Sequence, residues 1–390
     1  MAYQNVGTPR FYIDQAQYLK SIGFDFKADI ENSDYLSAYI DAILNGTINS
    51  FSINSQYLSI VSHPELFTLD PTIQKHIEYL GDNPDYSGIS YNFICPTGYS
   101  HTQNLEGDNI GRYVAILNHN MPDMLNFDWT KSQGDGYDTS FVKILNMMDV
   151  TNNISGSTIW ELGKNPSGDS FSFNPTEEYK FAHIKYNQPS TGQAPSEPKL
   201  GAISWGVYYD MPNSPDLDLT LDIEFTGAKS TDTLGGSTLT NTRYTGAPWW
   251  YDVDGNKVEP WAIGESSGTS KRNGRRVWKL SFSFISDENL FASNFMSNNY
   301  LETSADNSDY NSNDLASDGN NFEYTLEDDN SFMAQVLNKV SNGQRFIFQP
   351  DNTNNNPDQF AICQLDMDTF SIKQTAFKTY EIELEIREVW

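Results

Sequence analysis

Basic residues are scarce in this chain. Only 24 Lys and Arg stand against 52 Asp and Glu, a net charge of −28. Nucleic-acid phosphates would be repelled along most of such a surface, so nucleic acid is not an expected partner; basic protein surfaces or cations suit it better. Cysteine is scarcer still. Cys95 and Cys363 lie far apart, each in a strand-like run, and a buried thiol is the reading for both. No apolar run approaches the ~18 residues of a membrane-spanning helix, so no membrane is expected as a partner. The opening MAYQNVGTPRFYID lacks a basic region followed by an apolar stretch, so no secretory signal is expected. The sequons at Asn45 and Asn153 then carry little meaning.

Catalytic signatures are lacking too. There is no P-loop, GxGxxG or HExxH, and His63, His76, His101, His119 and His183 are not spaced with cysteine as zinc ligands. His119, in LNHNMPD, reads as a satisfied structural residue. Gly264 to Gly268, GESSG, has the spacing of a nucleophile elbow, but TSKRNG follows where a helix is required. Ser266 is therefore expected to be inert. Asp309, Asn311 and Asn313 match the first three EF-hand ligand positions, but Asp314 replaces the glycine and Asn320 the bidentate glutamate. The segment from Asp252 to Asn256, DVDGN, reads mostly as a hairpin, though it could hold a weak cation. With so many acids, paired carboxylates are expected by chance. No catalytic residue, cofactor or metal is assigned, and the chain is read as not an enzyme.

What is abundant points to strands. Aromatics make up 14% and charged residues only 19% of 390 residues, a composition suited to a β-rich protein of two domains or more. The stretch the chain is organised around is 274 to 291. Trp278, Leu280, Phe282 and Phe284 alternate with Val277, Lys279, Ser281 and Ser283, the period of a half-buried strand. This pattern puts Phe282 and Phe284 inside and makes Ser283→Ala nearly silent. Arg275 and Arg276, at its mouth, are expected to meet carboxylates.

Other elements follow in order. Asp14 caps a short helix through Ile22, ended by Gly23. A second helix runs from Asp34, with Leu36, Tyr39, Ile40, Ile43 and Leu44 on one face; a third has Asp70 as cap, Pro71 in its first turn and Gly81 past its end. Strands are predicted over 89–95, 113–117, 157–162, 181–186 and 200–209. Pro189 to Pro198 forms a linker or long loop. From Leu217 to Phe225, apolar residues alternate with an acidic outer face. Asp254-Gly255 marks a hairpin turn. Residues 293–330 are polar, acidic and without period. A helix from Ser331 to Val340, stopped by Gly343, precedes strands at 345–349, 360–365 and 379–389.

Many short strands without βαβ spacing predict a mainly β fold: an antiparallel sandwich or jelly roll, plus a second β-rich domain with a few short helices. Trp249, Trp250 and Trp261 are candidates for interface anchors or for stacking on sugar rings.

Several blocks resemble structural proteins of tailed bacteriophages, of the distal-tail or baseplate kind. They are GTPRFYIDQAQYLKSIG, VAILNHNMPD, KLGAISWGVYYDMPNSPDLDLTL, GRRVWKLSFSFIS, RFIFQPDNTNNNPDQFAICQLDMD and LEIREVW. The VAILNHN block and the GAISWGVYYDMP strand are similar to galactose-binding-like jelly rolls attached to phage tail proteins. The resemblance runs end to end in blocks but leaves 293–330 unmatched and supplies no site residue. It implies a virion component assembled in the host cytoplasm: a homo-oligomeric ring or collar contacting other tail proteins. The divisions it implies are 1–30, packing on the C-terminal part; 31–225, a jelly-roll-like sandwich; and 226–390, a ring-associated assembly domain that carries the acidic insert 293–330. A carbohydrate-binding, host-receptor-binding module is the alternative, and a glycan-degrading enzyme with two catalytic carboxylates a third reading.

Overall fold

The structure is a computed structural model. It describes residues 7–23, 55–59, 64–72, 75–76, 90–96, 109–118, 126–131, 142–143, 157–162, 181–187, 199–225, 228–242, 246–251, 257–258, 273–291, 331–341, 343–354 and 359–390. The protein is mainly β, with one large antiparallel sheet and few short helices. The helix expected from Asp34, the loop at 189–198 and the acidic stretch 293–330 lie outside the described residues. Among the described residues no helix is long and apolar enough to cross a membrane.

The large sheet has ten strands. Nine run in the order Thr220–Glu224, Arg275–Ser286, Thr379–Glu388, Ala361–Leu365, Phe346–Gln349, Arg10–Asp14, Ala202–Asp210, Ile110–Leu117 and Ser157–Leu162; Ile372–Ala376 also pairs with Thr379–Glu388. All these pairings are antiparallel. A second sheet of five strands includes one parallel pair, Ser55–Ser59 with Ser90–Pro96. Strands from the beginning, middle and end of the chain thus share one sheet, and residues 10–14 form the strand that joins them.

That joining strand shows how the core is divided. Phe11 and Ile13 point into a cluster with Trp278, Phe332, Phe346 and Phe348, whereas Tyr12 points into another with Tyr113, Trp250 and Phe360. The two-residue period of the strand distributes its side chains to opposite faces. Both faces are covered here, so four successive residues from Phe11 to Asp14 are buried. Ring contacts bind the first cluster: Phe11 lies 5.2 Å from Phe348 and 5.7 Å from Phe332, and Trp278 lies 5.2 Å from Phe348. Such pairs contribute about 0.5–1.5 kcal/mol each beyond area burial. The predicted helix at 331–340 supplies Phe332, Val336 and Val340 to this face; its middle, Met333–Leu337, is a π-helical turn.

The central stretch forms the strand Arg275–Ser286, with Trp278, Leu280 and Phe282 in the core. The alternation fails at Phe284, which is 75% exposed. Phe282 pairs with Ile382, but Ile285 pairs with Tyr380. Three steps on one strand therefore match two on the other, which is a β-bulge. The extra residue inverts the facing, and Ile285, at 1% exposure, takes the inner place.

The third helix is also corrected. Asp70 accepts from the backbone N–H and hydroxyl of Thr72, closing a turn around Pro71, and Asn118 Nδ2 donates to the Pro71 carbonyl. The chain leaves this turn extended, as Lys75–His76 pairs with Lys199–Leu200. The cap residue was legible, but its side chain serves a local turn, a competing use of aspartate. Asp14 behaves as expected: its Oδ1 accepts from Gln17 N at 2.7 Å and starts the helix Gln15–Ser21.

Candidate functional site

The Thr220–Glu224 strand ends the large sheet, paired on one side only among the described residues. The sequence pattern here predicts a longer strand with an apolar inner face. Only Leu219 and Leu221 pack partly against the core; Leu217, Ile223 and Phe225 are exposed. The reason is position: this is the outermost strand, beyond the core that ends under Trp278, and no further described strand covers its flank. Phe284, turned out by the bulge, adds an exposed ring on the neighbouring strand.

The outer face beside this edge is charged. Lys279 sits between Asp222 at 3.2 Å and Glu385 at 3.9 Å, and its hydrogen bond with Asp222, helped by Glu385, raises its pKa. Arg387 meets Glu224 at 2.7 Å and Asp366 at 3.8 Å. The strand's acidic stripe is thus partly neutralised from within. Asp216, just ahead of the edge strand, accepts from Ser281 at 3.0 Å and Ser283 at 2.5 Å. Ser283 points away from the core, as the alternation predicts, but it faces a carboxylate and not open solvent.

Of the paired arginines, Arg276 meets a carboxylate, Glu388, while Arg275 lies over the Trp390 ring at 4.8 Å. Near them is a small cleft, partly open to solvent, lined by Asp70, Trp250, Arg345, Glu388 and Trp390 among others. Arg345 bridges to Asp70 at 3.3 Å and donates to the Leu69 carbonyl at 3.2 Å. Burial works to raise the Asp70 pKa, but the Thr72 hydrogen bonds and the Arg345 charge outweigh it and hold the carboxyl below its ordinary value. Trp250 is 3% exposed, and its ring belongs to the interior cluster with Phe360 and Ile362. Trp249 beside it is half-buried; Trp261 lies outside the described residues. The strands Trp250–Tyr251 and Lys257–Val258 pair antiparallel, as the Asp254-Gly255 signal predicts.

A third grouping was not foreseen. Asp14, Ser204 and Tyr113 meet inside the sheet, and the Tyr113 and Ser204 hydroxyls are 2.7 Å apart. All three are buried, at 1%, 0% and 0% exposure, so a substrate has no approach to a serine and carboxylate that otherwise suggest acyl transfer. The helix-cap signal identified Asp14; its burial depends on strands distant in sequence, which no local pattern reveals.

Cys363 is a buried free thiol, and Cys95 lies in the Ser90–Pro96 strand. His76 and His183 lie in strands. Ser266, the 252–256 turn, the EF-hand-like 309–320 segment, His63, His101 and His119 lie outside the described residues. Compared with protein-family models, curated proteins and solved structures, the chain matches none.

Proposed function

We propose that the protein is a structural, non-enzymatic component of a tailed-phage virion, forming a homo-oligomeric ring of the tail or baseplate with other tail proteins. The observation that supports this reading most is the open sheet. Its two terminal strands, Thr220–Glu224 and Ser157–Leu162, are each paired on one side only among the described residues. Exposed Leu217, Ile223, Phe225 and Phe284 gather around the first. Unpaired strand edges template pairing with another chain, and two different edges on one sheet permit head-to-tail contacts that close into a ring when the rotation per copy allows. Like-with-like pairing of the 220–224 edge is disfavoured, because Asp222 and Glu224 would meet their own copies.

Light scattering after size exclusion, with electron microscopy, tests this reading on purified protein. Closed rings are expected, and Ile223→Lys is expected to dissociate them while leaving the circular dichroism spectrum unchanged. A protein that is monomeric at every concentration and never co-purifies with phage particles would sink the proposal.

A further inference from the structure

The Arg10–Asp14 strand is hydrogen-bonded on both sides, to Ala202–Asp210 and to Phe346–Gln349, and so joins the two halves of the large sheet. Its last residue is Asp14, opposite Gly206. One carboxylate oxygen, Oδ1, caps the following helix through Gln17 N. The other, Oδ2, is buried with no hydrogen-bond partner. An ionised carboxylate in that position would have only the nearby Ser204 hydroxyl, which is already bonded to Tyr113, to offset the charge on Oδ2 in a low-dielectric interior, which is costly. A neutral acid keeps the cap and avoids the charge.

Among the described residues no strong counter-charge faces Asp14. Lys339, on the 331–340 helix packed against the joining strand, is buried but donates to Gln335 and lies over the Tyr18 ring. Lys20, on the helix that Asp14 caps, is exposed and acts only at a distance. From the Ile110–Leu117 strand comes Tyr113, which burial, and then the nearness of Asp14, hold neutral far above its ordinary range. The 202–210 strand contributes the Ser204 hydroxyl; its charged Asp210 is held by Arg10 at the opposite end of the joining strand. The 346–349 strand, FIFQ, has no titratable side chain. Glu65, on the 3-10 turn Pro64–Phe67 whose carbonyl receives Gln17, is exposed.

We propose that Asp14 is carried as the neutral acid in the folded chain and serves as a pH-sensitive latch on the joining strand, which its ionisation loosens. Burial pushes the Asp14 pKa from 3.8 to about 7, against the opposing influence of Ser204, the helix N–H groups and Lys20. The folded value lies above the unfolded one, so the folded chain binds the proton more tightly. The contribution of this group to stability is full below about pH 4 and is lost as pH rises through about 7. Between pH 5 and pH 8 the folding equilibrium constant should fall on the order of 100-fold from this group alone. This latch is independent of the assembly reading.

Urea unfolding of the full chain at pH 5 and pH 8, with Asp14→Asn as the uncharged isostere, measures this. The stability of Asp14→Asn relative to the native chain is expected to rise by a factor approaching 100 from pH 5 to pH 8. A constant offset, or a variant that loses ground at pH 8, overturns the proposal and marks Asp14 as an ionised cap. Infrared spectroscopy supplies a readout that does not depend on the asparagine variant folding. Ordinary carboxyls are ionised by pH 6, so the latch predicts a carboxylic-acid carbonyl band surviving at that pH and missing in Asp14→Ser. If no such band survives, or if it persists in the serine variant, the latch is wrong.

Discussion

Arg276 and Glu388 face each other across two neighbouring strands and are bound at three points. Glu388 Oε2 accepts from the Arg276 backbone N–H at 3.0 Å and from Nε at 3.2 Å, and Oε1 accepts from Nη2 at 3.0 Å. The guanidinium also donates to the Phe360 carbonyl at 2.7 Å and lies over the Trp278 ring at 4.9 Å. Both side chains are nearly buried. Removing one partner leaves a charge without compensation, which typically costs about 3–5 kcal/mol, whereas replacing both by apolar residues can be close to neutral. Glu388→Leu is expected to lower the free energy of unfolding measured in urea by that amount, and Arg276→Met with Glu388→Leu to recover part of it. A double variant weaker than the single would contradict this assignment.

Gly206 is fixed by close approach. A Cβ there would lie 2.1 Å from the Ile13 carbonyl oxygen, a backbone atom of the joining strand. Overpacking of this kind costs about 1–3 kcal/mol or more. Gly206→Ala is expected to destabilise the protein by at least that much in urea unfolding, while Gly23→Ala, with open space around the position, meets only the strain of its φ of +78°. Equal stability of Gly206→Ala and the native chain would show that the joining strand sits elsewhere.

How much of this was legible depended on range. Local patterns located the short helix behind Asp14, the strand over 157–162 and the alternation of Tyr380, Ile382, Leu384 and Ile386, all of which are buried. The hairpin partner Ile372–Ala376 was missed because four of its five residues are exposed and carry no apolar period. The exposure of Phe284 was hidden because a bulge is a property of two strands read together. Leu217 to Phe225 had the alternation of a covered strand, yet sequence pattern does not say which strand is outermost. The buried meeting of Asp14, Ser204 and Tyr113 joins residues nearly two hundred positions apart, beyond any periodicity.

Asp216 ties the approach to the edge strand onto the bulged one. Its backbone N–H donates to the Ser281 carbonyl at 2.8 Å, and its carboxylate receives both serine hydroxyls. Hydrogen bonds to a charged acceptor contribute about 1.5–3 kcal/mol, and partial exposure places these near the low end. Ser283→Ala should cost about 1 kcal/mol, since Ser281 remains; Asp216→Ala should cost more than either serine variant. A silent Asp216→Ala in chemical denaturation would remove the carboxylate from the structure of the edge.

The bulge makes opposite predictions for two phenylalanines only two residues apart. Phe282 is 2% exposed and packs with Trp278, Leu280 and Ile382 in the core. Truncation to alanine there removes buried surface and leaves a cavity, typically about 3–5 kcal/mol, a large share of a domain's ~5–15 kcal/mol. Phe284 faces solvent, and such substitutions usually stay within about 0.5 kcal/mol. Phe282→Ala is therefore expected to yield insoluble or strongly destabilised protein, and Phe284→Ala a protein of native stability. The second variant also probes the edge: if Phe284 anchors a neighbouring copy, its loss weakens oligomers without moving the unfolding midpoint of the monomer. Equal and large losses for both would mean that the strict two-residue alternation continues and the bulge is absent. A stable Phe282→Ala beside a collapsed Phe284→Ala would invert the strand, placing the charged face of Lys279 and Glu385 against the core.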